Sequence, residues 1–127
     1  MAFGSLLVGS SCIETSIFKN CRVFELGSGL GIASLTAAYL GASSVVLMDR
    51  EPCALHCAMA SAALNQLENV QAAVVDWSSP QFQDDYGQSA DIALCSDVLY
   101  DADTVVALAA LIASPMRPGG RVWVTDP

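Results

Sequence analysis

A short apolar strand pattern that runs directly into three alternating glycines constrains this chain more than any other feature. Residues 23–26 (VFEL) place three apolar side chains around one acid and predict a buried strand. Gly27, Gly29 and Gly31 follow at once, and an alanine-rich helical pattern begins at Ile32. Strand, glycine turn and helix together typically bind nucleotide-like ligands, because glycines let a ligand approach the backbone and the helix start offers unpaired N–H groups.

The details of this turn argue against a dinucleotide ligand. The spacing is G-x-G-x-G, and Ile32 stands where a dinucleotide fingerprint has its last glycine. Glu25 precedes the first glycine by two residues, where an acid would lie close to a pyrophosphate. An acid here suits a cofactor that carries a positive amino group, which indicates S-adenosylmethionine and disfavours an NAD-dependent oxidoreductase.

The rest of the chain alternates between strand and helix patterns. The predicted elements after the glycine turn are a helix over 32–40, a strand over 44–48, a helix from 52 to about 66, a strand over 70–75, a loop over 78–89, a strand over 91–95, a helix over 101–114, a turn over 115–120 and a strand over 121–125. A further short helix is expected over 14–19.

This alternation predicts one α/β domain over residues 1–127. The expected fold is a Rossmann-like, doubly wound parallel sheet with right-handed crossovers, layered between helices as a three-layer sandwich. Ligands of such sheets bind beyond the carboxyl ends of the strands. Asp49, Asp76 and Asp97 each fall at a predicted strand end and are therefore candidate functional acids.

The net charge and the lengths of the apolar runs indicate which molecules or surfaces this protein can be expected to bind. The formal net charge is −8, and Lys19 is the one lysine, so a nucleic-acid backbone is an unsuitable partner, whereas a basic peptide or protein is tolerated. No apolar run approaches the roughly 20 residues that a membrane span needs. The longest run, residues 105–113, is expected to form a buried helix.

The cysteines indicate an intracellular protein rather than a disulfide scaffold. They are five in number, which is odd, and they lie in apolar patterns, so we expect reduced, buried thiols and a cytoplasmic location, with the nucleus as a second compartment. Cys53, His56 and Cys57 share one predicted helix, but no further cluster completes four ligands, so no structural metal is expected.

Two short motifs after predicted strands resemble a known family over about residues 20–127. Residues 97–100 (DVLY) resemble the D-x-x-Y signature of the family 16, methyltransferase-like protein-lysine methyltransferases, and Asp76-Trp77 fits the same group. Three further features, the turn VFELGSGLG, Asp49 and the segment RPGGRVWVTDP, are general to class I S-adenosylmethionine-dependent methyltransferases. Through these motifs the chain resembles this class of methyltransferases.

The resemblance implies a cofactor site around the glycine turn. Glu25 would bind the amino group of S-adenosylmethionine, and backbone groups of Gly27, Ser28 and Gly29 would surround its methionine part, with Gly31 completing the turn. A glycine turn that only packs a strand against a helix is the alternative.

Residues at the other strand ends would hold the nucleoside. Asp49 would accept hydrogen bonds from both ribose hydroxyls, Asp76 would accept from the adenine amino group, Trp77 would pack on the adenine ring and Ser96 would lie against the adenosine. For Asp49 a helix-capping role is the alternative, and for Trp77 a place in the core.

Catalysis would fall to the D-x-x-Y motif. Asp97 would hold a lysine ammonium or an arginine guanidinium beside the departing methyl group, and Tyr100 would face that cation. A helix-capping aspartate and a core tyrosine are the alternative roles.

Two departures from the family pattern keep rival functions open. No tryptophan precedes Trp77, and the pattern stops after a fifth strand, whereas the class has a terminal antiparallel hairpin. The leading hypothesis is a protein N-methyltransferase that acts on lysine in preference to arginine. The rivals are a small-molecule methyltransferase and a non-catalytic, cofactor-binding scaffold. The open sheet edge also predicts self-association.

Overall fold

Strands and helices alternate along the chain, as the apolar pattern predicts. The computed structural model describes residues 16–76, 81–99 and 101–125. The elements in this part of the chain are β1 (Arg22–Leu26), α1 (Ile32–Tyr39), β2 (Ser44–Asp49), α2 (Pro52–Leu64), β3 (Val70–Val74), α3 (Gln81–Tyr86), β4 (Ala90–Ser96), α4 (Ala102–Leu111) and β5 (Met116–Thr125).

The five strands form one parallel sheet in the order β3-β2-β1-β4-β5. β1 lies at the centre, and all its residues except Arg22 are buried. The chain runs from β1 outward through β2 to β3, then returns to the other side of β1 as β4. The strand order therefore reverses between β1 and β4, and the crevice beyond their carboxyl ends is where open α/β sheets bind ligands.

Helices cover both faces of the sheet. On one face α1 and α2 contribute Leu35 and Leu55 to a core with Val45 of β2. On the other face α3 and α4 contribute Phe82 and Leu108 to a second core. The prediction of a doubly wound, three-layer α/β fold is confirmed.

The prediction of a loop over 78–89 is wrong in its middle, because α3 occupies Gln81–Tyr86. Phe82 and Tyr86 are spaced one helical turn apart, and their rings lie 5.7 Å from each other. Tyr86 also packs edge-on against Phe24 of β1, with ring centroids 5.8 Å apart. Two aromatic anchors thus fix a six-residue helix whose other side chains are polar, and this pattern is too short to show periodicity.

The last strand begins earlier than predicted. β5 starts at Met116 rather than at Arg121, and its pairing with β4 shifts register between Ala90 and Ile92. A Cβ added to Gly120 would lie 3.2 Å from the Ala90 carbonyl oxygen, so the irregular pairing brings the two backbones close. Pro115 and Met116 therefore already contact β4, and the predicted strand from Arg121 onward pairs with it again after the irregularity.

Three smaller expectations need correction. Residues 16–20 form a turn, where part of a helix over 14–19 was expected. Cys53 and Cys57 are exposed, since they lie on the solvent side of α2. α4 is buried along one side only, because Val106 is 70% exposed while Leu108 and Leu111 pack on the sheet. No helix in the described ranges is long and apolar enough to cross a membrane.

Candidate active site

The glycine turn is held against β2 by backbone hydrogen bonds. The N–H groups of Gly27 and Ser28 both donate to the Met48 carbonyl, at 2.8 and 2.9 Å. The Gly31 N–H donates to the Ser28 carbonyl at 2.8 Å and closes the turn before α1. The protein's own backbone thus anchors the turn to the neighbouring strand without a ligand.

The glycines of the turn serve two different purposes. Gly27, Gly29 and Gly31 all have positive φ, of 72°, 51° and 75°, which side chains other than glycine rarely adopt. A Cβ on Gly31 would lie 2.1 Å from Leu47 Cδ2 and 3.3 Å from Ala58 Cβ, so Gly31 lets α1 pack against β2 and α2. A Cβ on Gly29 would have no atom within 4 Å, so Gly29 faces open space where a ligand can approach the backbone.

Asp49 links this turn to the start of α2. Its Oδ2 accepts a hydrogen bond from the Gly29 N–H at 2.7 Å, and its Oδ1 accepts one from the Glu51 N–H at 2.9 Å. Each carboxylate oxygen keeps a further lone pair, so two vicinal hydroxyls could still donate to it. The helix-capping alternative is not the observed geometry, since Glu51 is the residue before α2 and no side chain caps that helix.

Glu25 places an acid beneath the turn. Its side chain is 2% exposed, and its Oε2 accepts a hydrogen bond from the Ser34 N–H of α1 at 3.1 Å. Burial raises the pKa of Glu25 to about 7, with the nearby Asp49 carboxylate adding to the rise and hydrogen bonding from Ser34 opposing it. A buried carboxylate without a cationic partner among the described residues suits an ammonium ligand.

The end of β4 brings a second acid to the same edge of the sheet. Asp97 follows Ser96 with φ 54°, and its N–H donates to the Thr125 carbonyl of β5 at 3.0 Å. Its side chain is exposed, while Ser96 is half-buried. Aspartate tolerates this left-handed backbone better than most residues, so the turn presents an exposed carboxylate at the strand end. Tyr100 lies outside the described residues.

The end of β3 completes the edge. The Val75 N–H donates to the Asp49 carbonyl at 2.9 Å. The next residue, Asp76, therefore lies near the carboxyl end of β2, and it is exposed. Trp77 lies outside the described residues. Within the described ranges no group of three or more histidine, cysteine or acidic side chains could hold a metal ion.

Sequence reasoning missed two features of the site. Ser34, whose N–H binds Glu25, lies in an alanine-rich helical run that gives no signal for a polar role. Leu30 and Ile32 are each 59% exposed beside the glycine turn, and nothing in the sequence alone indicates their exposure. Exposed apolar side chains at the rim of a cleft are typical of a surface that a ligand or another segment covers.

The residues present fit S-adenosylmethionine. The Ser28 hydroxyl is buried and has no hydrogen-bond partner among the described residues, Gly29 leaves an open approach to the backbone, and Glu25 offers a buried carboxyl. Asp49 lies at the end of the strand next to β1, which is where a residue that binds the cofactor's ribose is expected. These groups share one edge of the sheet, at the reversal of strand order.

Comparisons with known proteins identify the family and the fold of the chain. Residues 6–125 match the model of a family described as lysine methyltransferase. The chain is 31% identical over 127 residues to a ribosomal protein L11 methyltransferase of Symbiobacterium thermophilum, covering 95% of this chain and 38% of that protein. The chain spans a little over a third of the length of the curated relatives it matches first.

Solved structures show the same fold. A SAM-dependent methyltransferase from Aquifex aeolicus matches with a TM-score of 0.75 at 12% identity, covering 98% of this chain and 63% of that one. PKMT2 from Rickettsia typhi, solved in complex with AdoHcy, matches with a TM-score of 0.70 at 14% identity, covering 85% of this chain and 21% of that one. The glycine turn, the strand order and the family match lead to one conclusion: the chain belongs to the lysine methyltransferase family and has the class I S-adenosylmethionine-dependent methyltransferase fold.

Proposed function

We propose that this protein binds S-adenosylmethionine and transfers its methyl group to a nitrogen of a protein side chain. Lysine is the preferred acceptor in this proposal, and arginine is the second choice. One observation carries the proposal: Glu25, Asp49 and Asp97 lie at or next to the carboxyl ends of the three adjacent strands β1, β2 and β4, where the strand order reverses. Buried Glu25 suits the cofactor's ammonium group, and Asp49 suits its ribose.

The exposed acids after β4 favour a cationic acceptor. Asp97, Asp101 and Asp103 are all exposed and follow one another closely at the carboxyl end of the sheet. When bound, S-adenosylmethionine supplies an activated methyl group, and displacement at carbon requires mainly alignment from the protein. Asp97 would hold the ammonium or guanidinium of the acceptor in line and accept the proton that the attacking nitrogen must lose.

A protein substrate is supported by the family and by the curated relatives, whose names refer to a ribosomal protein. The net charge of −8 also favours a basic protein over an acidic one. A small-molecule acceptor and a scaffold that binds cofactor without turnover remain the rival hypotheses. Each of them predicts a different result in the experiment below.

The test is to compare Asp97→Asn with Asp84→Asn in both cofactor affinity and methyl transfer to a mixture of basic proteins. Asparagine keeps the size of Asp97 and also tolerates its left-handed backbone, so the substitution removes the charge alone. Turnover of Asp97→Asn should fall by at least tenfold, while its affinity for S-adenosylhomocysteine stays within about twofold. Asp84 is an exposed acid of α3, and its substitution should change neither quantity.

Three results would contradict parts of the proposal. Equal turnover in Asp97→Asn and wild type would make Asp97 a structural residue of the strand end. Methylation of metabolites in preference to proteins would support the small-molecule rival. Tight binding of S-adenosylhomocysteine without transfer to any acceptor would support the scaffold.

A further inference from the structure

The five lysine and arginine residues of this acidic chain are distributed unevenly over the two ends of the sheet. Arg50 directly follows β2 at the carboxyl end. The other four lie at the amino end, in the turn before β1, at the start of β1 and in the first part of β5: Lys19, Arg22, Arg117 and Arg121. We call these four residues the basic rim.

Asp91 of β4 holds two members of the basic rim together. It accepts a hydrogen bond from the Arg22 N–H at 2.7 Å and forms an ion pair with Arg117. The guanidinium of Arg22 lies 5.2 Å from the centre of the Phe24 ring and has no ion pair among the described residues. Arg22 and Arg117 therefore border one carboxylate from two strands, and the charge of the exposed Arg22 remains available to a partner.

The other two members of the basic rim border the opposite face of the sheet at the same end. Arg121 pairs in register with Ile92 of β4 and lies two residues before Trp123, on the same side of β5. Lys19 is adjacent to Phe18, whose ring packs edge-on against Trp123 at 5.4 Å. Lys19 and Arg121 are both exposed, and neither forms an ion pair within the described ranges.

Cations without ion pairs are unexpected in a chain with 13 acidic residues and a formal net charge of −8. The two ends of the sheet are also electrostatically separate. The strands β1 and β4 have five and seven residues and therefore span roughly 17–23 Å, whereas charges in physiological salt are screened over about 8 Å. A ligand that approaches the basic rim thus meets local positive charge, although the whole chain is negative.

Acids on neighbouring elements limit the kind of anion that fits this surface. Glu68 precedes β3, while Asp84 and Asp85 lie on α3, and all three are exposed. A polyanion that extends beyond the basic rim, such as a nucleic-acid strand, would meet these like charges, whereas a short acidic segment need contact only the rim. Arginine suits carboxylates in particular, because its donors form a planar fork.

We propose that the basic rim is a docking surface for a short acidic segment of another protein. Arg22 and Arg121 lie on the strands at either side of β4, so their backbones are about 10 Å apart. Alternate residues of an extended chain are about 7 Å apart, so acids spread over about five residues can reach both cations. The carboxyl end of the sheet stays free, so this docking leaves the cofactor site open.

The experiment titrates the protein into a fluorescein-labelled peptide of about eight alternating glutamate and serine residues and follows fluorescence anisotropy. Wild type should bind the peptide in about 50 mM salt and lose most of its affinity in about 500 mM salt, because exposed ion pairs are screened. Arg22→Gln and Arg121→Gln should each weaken binding about threefold, and the double variant about tenfold, as expected for exposed ion pairs.

Arg50→Gln is the matched control, because Arg50 is the fifth cation and lies at the opposite end of the sheet, with a side chain that is 76% exposed. It changes the net charge by the same amount as Arg121→Gln and should leave the affinity for the peptide unchanged. Thermal unfolding should be the same for all variants, since the substituted residues are exposed. Lys19→Gln gives a further test if one of the arginine variants folds badly.

The outcomes bear on different parts of the inference. A folded wild type that does not bind the peptide, an affinity that does not change with salt, or equal affinities of Arg50→Gln and Arg121→Gln would overturn the basic rim as a docking surface. Tighter binding of an oligouridylate of the same length would overturn the choice of an acidic protein segment. Equal binding of a peptide with lysine in place of glutamate would overturn the role of charge. None of these results depends on binding of S-adenosylmethionine, so the inference stands or falls separately from the proposed function.

Discussion

At the scale of single residues, the site depends on a buried carboxyl that is costly to ionise. Glu25 lies under the glycine turn with one backbone hydrogen bond and no cation among the described residues. A shape-matched hydrophobic residue would pack there without this electrostatic cost. The acid is therefore better explained by a ligand that reaches the turn than by the stability of the chain alone.

This view predicts that Glu25→Gln stabilises the ligand-free chain above neutral pH. The ordinary pKa of the carboxyl is 4.5 and the folded value is about 7, so the folded chain binds more protons than the unfolded chain between these values. The free energy of unfolding therefore falls as the pH rises through this interval, by about 3 kcal/mol in all. Denaturant unfolding at pH 5 and pH 8 should show a smaller fall for Glu25→Gln than for wild type.

The exposed Glu51 provides the control for that comparison. Glu51→Gln removes an acid of the same type from the surface and should keep the pH dependence of the wild type. If Glu25→Gln and Glu51→Gln lose the same stability between pH 5 and pH 8, burial of Glu25 has no energetic consequence.

At the scale of elements, the glycine turn combines packing with ligand access. Gly31 is required where α1 meets Leu47 and Ala58, and Gly29 borders open space. The same G-x-G-x-G spacing in the sequence cannot distinguish these roles, because they depend on which elements lie behind each glycine. The structure assigns Gly31 to packing and leaves Gly29 facing the cleft.

Alanine substitutions should separate the two roles. Gly31→Ala would place a methyl group against Leu47 in a strained backbone, so it should lower the free energy of unfolding by about 2–4 kcal/mol. Gly29→Ala meets no atom and should cost about 1–2 kcal/mol from its backbone alone, with a larger effect on cofactor affinity. Chemical denaturation and calorimetry on both variants check this. Equal stabilities would contradict the assignment of Gly31.

Periodicity explains which elements could be predicted from the sequence. Buried strands such as β2 and β4 appear as continuous apolar runs between turn residues, so their position and the parallel sheet follow from pattern alone. α3 could not be predicted, because its burial depends on Phe82 and Tyr86 meeting a sheet that the local sequence does not describe. The bond from the Ser34 N–H to Glu25 was not predictable for the same reason.

At the scale of the whole molecule, the two ends of the sheet differ. At the amino end, Asp91 of β4 accepts a hydrogen bond from the Arg22 N–H of β1 at 2.7 Å and forms an ion pair with Arg117 of β5. At the carboxyl end, the acids instead face a crevice. The amino end of the sheet thus links β1, β4 and β5 to one another, whereas the carboxyl end is where a ligand is expected to bind.

The edge strand β5 leads to a prediction about association. Among the described residues β5 pairs with β4 alone, and Val124 is 44% exposed, while Trp123 packs edge-on against Phe18 at 5.4 Å. An open strand edge with few charges favours pairing between copies. The isolated chain should therefore self-associate in sedimentation experiments, and Val124→Lys should reduce this association.

Val106→Lys is the matched control, because Val106 is 70% exposed on a helix, α4, and not on the edge strand β5. It should leave the association as in wild type. A monodisperse wild-type monomer at high concentration, or equal effects of both lysines, would contradict an edge-mediated contact.

The central claim is that the acids at the carboxyl edge hold S-adenosylmethionine. The most direct test is a calorimetric titration of S-adenosylhomocysteine into wild type, Asp49→Ala and Glu51→Ala. Wild type should bind, Asp49→Ala should lose about 1.5–3 kcal/mol of binding free energy, and Glu51→Ala, which keeps its backbone N–H, should match wild type. Equal affinity of wild type and Asp49→Ala would contradict the ribose assignment, and a folded wild type that binds nothing would contradict the central claim.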